Sequence, residues 1–178
     1  MTSTATELGL APGAWRIDPA HSEVTFVIRH LMSKVRGSFT AFTGSVEIAD
    51  DLAASSVTAE VDMSSIDTRN ADRDTHLRAS EIFDVDNHPT MGFVSTGLRG
   101  TELDGELTVR GVTRPLTLDV EFNGVGGDPW GGTRAGFTAT GQVSRKEFGI
   151  EFNIPMGGDK MALGDRLDIT LEIQAVQQ

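Results

Sequence analysis

Cysteine is absent from this sequence, long apolar runs are absent, and nowhere do basic residues cluster. Each absence closes off a class of function. Without cysteine there is no disulfide framework, no thiolate nucleophile and no Cys-ligated zinc or iron–sulfur centre. No segment approaches the ~20 consecutive apolar residues of a membrane-spanning helix. The 15 Lys and Arg residues stand singly or in pairs such as Arg145-Lys146, against 26 Asp and Glu, for a formal charge of −11. A surface of that sign repels nucleic-acid phosphates and anionic lipid headgroups. Nucleic acid is therefore not an expected partner, and neither is stable membrane insertion, although brief membrane contact stays open. The opening Met1-Thr2-Ser3-Thr4-Ala5-Thr6-Glu7 carries no basic leader pattern and no apolar run follows it. That points to a cytoplasmic protein, although the lack of cysteine also suits a secreted protein whose leader has been removed.

What is present is glycine, at 20 residues, and a repeated two-residue alternation. A length of 178 residues suits one domain with a substantial core. Residues 1–13 are small, polar and interrupted by Pro and Gly, and are expected to form a disordered N-terminal tail. Residues 14–178 form the expected barrel domain. Val24, Phe26 and Ile28 alternate with Glu23, Thr25 and Arg29, with Val27 an apolar exception on the outer face. Phe42, Val46 and Ile48 share one parity, as do Val57, Ala59, Val61 and Met63. The second half repeats the pattern at Leu103–Val109, Leu116–Phe122, Ala135–Val143 and Leu167–Ile173, with a shorter strand near Met91 and Phe93. One wet and one dry face on about eight strands predict an all-β protein.

One segment departs from this. From Asn70 to about Ser80 the chain reads as a short helix. Asn70 is its N-cap, Asp72 and Asp74 lie in the first turn, and Asp74–Arg78 is a possible i,i+4 pair. Arg145 to Gly149 reads as a second helical turn. Asn123–Gly132 and Gly111–Pro115 read as hairpin loops.

A sandwich and a closed barrel both bury one continuous dry face, and periodicity alone does not separate them. Ala59, Gly105, Ala135, Ala139 and Gly141 occupy inner positions. Such small residues either leave room for a ligand or mark bulges and barrel corners.

Five stretches, in order, resemble the bacterial YceI-like family. They are Trp15-Arg16-Ile17-Asp18-Pro19-Ala20-His21-Ser22 running on to Phe26 and His30, then Lys34-Val35-Arg36-Gly37-Ser38-Phe39 with Phe42 and Gly44. Next come Ser65-Ile66-Asp67-Thr68-Arg69-Asn70 with Arg73-Asp74, His76-Leu77 and Phe83. Leu107-Thr108-Val109-Arg110-Gly111-Val112-Thr113-Arg114-Pro115-Leu116 and Ser144-Arg145-Lys146-Glu147-Phe148-Gly149 complete the set. Lys146-Glu147 is a small departure from the family pattern beside Phe-Gly. The likeness runs from about Ala14 to the C-terminus. It implies a lipocalin-like eight-stranded antiparallel barrel with one short helix, about 70–80, that binds polyisoprenoid chains, including the tails of isoprenoid quinones. Many members are periplasmic, and dimers are known among them.

The expected ligand site is the dry face: Val24, Phe26, Ile28, His30, Phe42, Val61, Met63, Phe137 and Ile169. Ten-residue strands at ~3.3 Å per residue give a lumen of roughly 30 Å. Each five-carbon unit would bury ~100 Å², or roughly 2–3 kcal/mol before ordering costs. No catalytic residue, metal ligand or cofactor other than the bound lipid is expected. Asp18, His21 and Ser22 stand too close in sequence for a catalytic triad, and no G-x-S-x-G elbow occurs. His21, His30, His76 and His88 show no zincin spacing. Arg110 and Arg145 read first as residues that pin loops by charge-assisted hydrogen bonds. Met156, Met161 and Leu163 either line a portal or pack on the barrel. Two alternatives remain: an enzyme acting on a small apolar substrate through His30 and nearby acids, and a filled barrel serving protein contacts.

Overall fold

The computed structural model describes residues 4–158 and 161–178. Its strands are β1 (Gly13–Ile17), β2 (Glu23–His30), β3 (Ser33–Phe39), β4 (Phe42–Ile48), β5 (Ser56–Asp62) and β6 (Ile66–Asp67). After the helix α1 (Ala71–Leu77) follow β7 (Thr90–Arg99), β8 (Glu102–Val109), β9 (Val112–Gly127), β10 (Thr133–Ser144) and β11 (Leu163–Gln177). All pairings are antiparallel. β1 pairs with both β4 and β11, which closes the sheet into a barrel.

Three of the eight barrel positions are bent strands recorded as two segments. β11 pairs with β2 along its first part and with β1 at Ala175–Gln177. β3 and β4 follow the same course one position over, and β5 with β6 the next. A one-turn helix at Pro19–His21 bends the first of them, its Asp18 side chain accepting from the Ala20 N–H at 2.9 Å. The bend lets a long β11 serve two short strands while the sheet curls.

The two ends of the barrel are built differently. The helix end carries α1, the β2–β3 and β8–β9 turns and the connection 145–162. The tail end carries residues 4–12, the β4–β5 connection, the β7–β8 turn and the β9–β10 loop. Asn70 caps α1 through the Arg73 N–H at 3.0 Å, as its side chain suggests. Asp74, however, makes no side-chain pair with Arg78. It is buried and accepts from the Thr68 N–H and hydroxyl instead, because Thr68 faces inward beside it. The Arg145–Phe148 turn is a 3-10 helix ended by Gly149 at φ 75°. Arg110 and Gly111, at φ 53° and 75°, form a two-residue turn of the type that fits strand twist, so β9 starts earlier than the composition suggested. At its other end β9 runs on to Gly127, which shortens the expected Asn123–Gly132 loop.

The expected disordered tail is ordered over residues 4–13; residues 1–3 lie outside the described residues. Ala5 and Leu10 are fully buried, the Ala5 N–H donates to the Asp50 carbonyl, and Thr4 bridges to Asp51. The Trp15 indole N–H donates to the Ala11 carbonyl at 2.9 Å. Two apolar anchors with satisfied backbone suffice to hold a segment whose average composition looks like linker.

Candidate functional site

A cavity of about 840 Å³ occupies the barrel, near the upper end of volumes typical for small-molecule pockets. The filled-barrel alternative fails on this point. Val24, Phe26, Ile28, His30, Phe42, Val61, Phe137 and Ile169 all line it. Met63 does not. β5 ends at Asp62, whose carboxylate caps a turn of 3-10 helix, and Met63 is carried into the buried core instead. Strand parity cannot foresee a strand that stops one residue early.

Half of the wall lies outside the expected site residues. Phe93, Leu107, Leu116, Leu118, Phe122 and Leu171 line the cavity from the other side of the barrel. Their alternation was plain, and the missing signal was which strands share one void.

Small inner residues contribute unequally. Ala59 and Ala139 border the void, while Gly105, Ala135 and Gly141 do not. A Cβ on Gly105 would stand 2.4 Å from the Phe93 ring, and one on Gly141 would stand 2.9 Å from a Leu118 methyl. These glycines are covered by large side chains of the neighbouring strands, so they seat aromatic and leucine walls rather than enlarge the lumen. Gly37 lies under Phe26 in the same way, for a Cβ added there would run into the Phe26 ring.

Among the described residues no acidic side chain lines the cavity, and the largest polar ones, apart from Arg99 at the tail end, gather at the helix end. His30 ends β2. Arg73 projects from α1, donating from Nε to the Thr68 hydroxyl at 2.7 Å and from Nη2 to the Thr68 carbonyl at 2.6 Å. Arg145 is buried. Its Nη1 donates to the Ile150 and Phe152 carbonyls at 2.9 and 2.7 Å, and its Nε to the Gly164 carbonyl at 2.8 Å. Its Nη2 has no partner among the described residues. Burial pulls the guanidinium pKa down, and the Asp165 carboxylate opposes that. Such a group stays charged in proteins, so a buried donor remains available where Arg145 meets the void.

Both arginines that the sequence marked as pins do pin loops. Arg110 donates to the Ser80 and Gly149 carbonyls at 3.0 and 3.2 Å, tying α1's outgoing segment to the 145–162 connection. The Asp18, His21 and Ser22 group makes no triad. His21 Nδ1 lies 2.8 Å from Asp18, but Ser22 Oγ accepts from the Gln174 N–H, and neither Asp18 nor His21 faces the cavity. No group of three or more potential metal ligands occurs among the described residues. Among them no helix is long and apolar enough to cross a membrane.

A sequence model of the YceI-like domain matches residues 15–175. A UPF0312 protein of Vibrio cholerae is 36% identical over 166 residues, covering 89% of this chain and 84% of that one. A UPF0312 protein of Staphylococcus aureus is 38% identical over 161 residues, covering 89% and 93%. Among solved structures, Burkholderia cenocepacia BcnA superposes with a TM-score of 0.71 at 21% identity, over 89% of this chain and 98% of that one. A polyisoprenoid binding domain from Saccharophagus degradans, implicated in plant cell wall breakdown, superposes at 0.67 with 11% identity, over 94% and 100%. At such identities the two structures speak to the fold alone.

Proposed function

The chain belongs to the YceI-like family, and from that premise we propose that it binds a polyisoprenoid lipid in its lumen and carries or stores it. The observation that carries this reading is the apolar cavity, with no acid among its described lining residues and with His30, Arg73 and Arg145 together at the helix end. A chain without charge gains from burial all along the wall, at ~25 cal/mol per Å². A polar head at the helix end would find the unpartnered Nη2 of Arg145. The polyisoprenoid-binding domain with the same fold supports the ligand class.

The test is mass spectrometry of an organic extract from freshly purified protein, followed by titration of the emptied protein with a prenyl quinone. The expected result is a co-purified prenyl lipid or saturable binding of the quinone. No lipid and no binding would overturn the proposal. An isoprenoid quinone is the first ligand to try, the cytoplasm the proposed location, and a homodimer the assembly to look for by light scattering. Catalysis through His30 would need an acid partner in the lumen, and among the described residues none lines it.

A further inference from the structure

Five of the eight large hydrophobic side chains exposed among the described residues meet at one corner of the helix end. Leu31 and Met32 form the β2–β3 turn; Ile154, Met156 and Met161 lie in the connection to β11. The two segments are joined, for the Leu31 N–H donates to the Ala162 carbonyl at 2.8 Å and the Ala162 N–H to the Ile154 carbonyl at 3.0 Å. Single exposed apolar residues need no explanation, whereas a contiguous group marks a contact surface.

The turn itself is unusual. His30 pairs with Ser33, leaving Leu31 and Met32 as a two-residue hairpin loop. Such loops favour Asn-Gly or Gly, because φ is positive there. Leu31 instead sits at φ 55°, and Met32 is fully exposed beyond it. Backbone strain of this kind, kept at an exposed tip with apolar side chains, suggests a role for the tip itself.

Charge identifies the partner. Between Glu23 and Glu47 there is no acidic residue, the longest such stretch in a chain with 26 of them. Arg29, Lys34 and Arg36 lie exposed within it, and Arg29 and Lys34 are cross-strand partners just behind the turn. In the other segment Glu151 is exposed, and Asp159 and Lys160 lie outside the described residues. Apolar side chains at a tip with cations one step behind match an anionic bilayer surface, where the former enter the acyl boundary and the latter meet headgroups. The same corner adjoins the lumen, since His30, Phe152 and Leu163 line it.

We propose that this corner docks the barrel on an anionic lipid bilayer, so that a water-insoluble ligand passes between membrane and lumen without crossing water. This deepens the lipid-binding reading and rests on it for its purpose. The net charge of −11 opposes docking by any other face and so orients the molecule.

The experiment is flotation with vesicles of phosphatidylcholine containing 30% phosphatidylglycerol, compared with phosphatidylcholine alone at equal salt. Wild-type protein is expected to float with the anionic vesicles and much less with the neutral ones. Met32→Asp with Met156→Asp should lower binding at least tenfold. Lys34→Gln with Arg36→Gln should remove the preference for anionic lipid, with about a fivefold loss for each cation neutralised. Val94→Asp, an exposed apolar site elsewhere on the barrel, should leave binding unchanged. All five side chains are exposed, so the variants should melt like wild type. No flotation of wild type, or an equal loss in Val94→Asp, overturns the proposal. So does a light-scattering dimer that the Met32 variant dissolves while vesicles are never bound. Prenyl quinone binding in detergent is measured on the same variants; intact binding there with lost flotation isolates docking from the cavity, and the reverse isolates the cavity.

Discussion

The two ends of this barrel solve the same problem with opposite means. The tail end is covered by chain that buries itself: Ala5 and Leu10 are inside, and Leu8 and Leu10 border the lumen. The helix end is covered by α1, yet it leaves an unpartnered guanidinium nitrogen inside and an apolar tip outside. Buried donors without partners and exposed apolar tips both cost stability. The tail end exposes Leu8 and Trp130, whereas the helix end gathers five exposed apolar side chains beside the unpartnered donor, and that concentration marks the working end. The tail end reads as a stopper.

That contrast presupposes a shared lumen between the ends, and Phe26 is the place to break it. Phe26 lies over Gly37 in the wall. Phe26→Asp puts a carboxylate into an acid-free apolar cavity, and desolvation should cost binding about 4 kcal/mol or more, roughly a thousandfold. Titration with prenyl quinone measures it. Unaffected affinity would place the ligand elsewhere.

Arg145→Met tests the helix end. The change leaves the Ile150, Phe152 and Gly164 carbonyls without their charged donor, which should lower unfolding free energy by about 3 kcal/mol. Denaturant unfolding gives the number. In addition, the variant should bind a prenyl quinone and a bare prenyl hydrocarbon with equal affinity, if Nη2 serves a polar head. A surviving preference for the quinone would leave Arg145 a purely structural pin.

The tail end should answer differently. Leu10→Ala removes a buried anchor and should cost about 2–3 kcal/mol, with the anionic-vesicle behaviour untouched. Loss of that stability together with unchanged ligand affinity fits a stopper. A stable variant would mean that residues 4–12 do not hold the end closed.

Much of this was legible in the sequence, and the failures have physical causes. Alternation exposed the strands because a half-buried strand has period two and nothing else in the chain competes with that signal. The Asn70 cap was legible because capping is local chemistry. Closure was not, since it depends on β1 meeting both β4 and β11, a pairing with no local trace. The hollow was inferred partly from glycines that turn out to lie beneath Phe93 and Leu118. Small residues in a barrel wall report cross-strand volume, and whether a neighbour fills it is decided by the three-dimensional packing. Residues 4–13 looked like linker because two buried side chains, Ala5 and Leu10, carry their order, and composition averages them away. The Leu31-Met32 tip went unremarked for the opposite reason: in sequence it continues the apolar pattern of β2, and only the two-residue turn shows it pointing at solvent.

The smallest expected effect separates the two ends by acid. At the tail end Arg134 joins three parts of the chain, donating to Asp18 at 2.7 Å and Asp128 at 2.9 Å while lying 5.4 Å from the Trp130 ring centre. The Arg134 hydrogen bond, and after it the His21 contact, holds the Asp18 carboxyl down at about 2, against an ordinary 3.8. A carboxylate depressed in the folded state contributes stability that is complete above 3.8 and is lost as pH falls toward 2. Solvent screening keeps the contribution under ~1 kcal/mol, or at most about 3 °C in Tm for a chain of this size. The Arg145 and Arg110 fastenings of the helix end lack this sensitivity, because they donate to backbone carbonyls that do not titrate. The Tm difference between wild type and Asp18→Asn should therefore be present at pH 5 and shrink toward nothing near pH 2. A difference that holds constant across that window would show that Asp18 acts through hydrogen-bond geometry alone, and the ionic clasp would no longer distinguish the stopper from the working end.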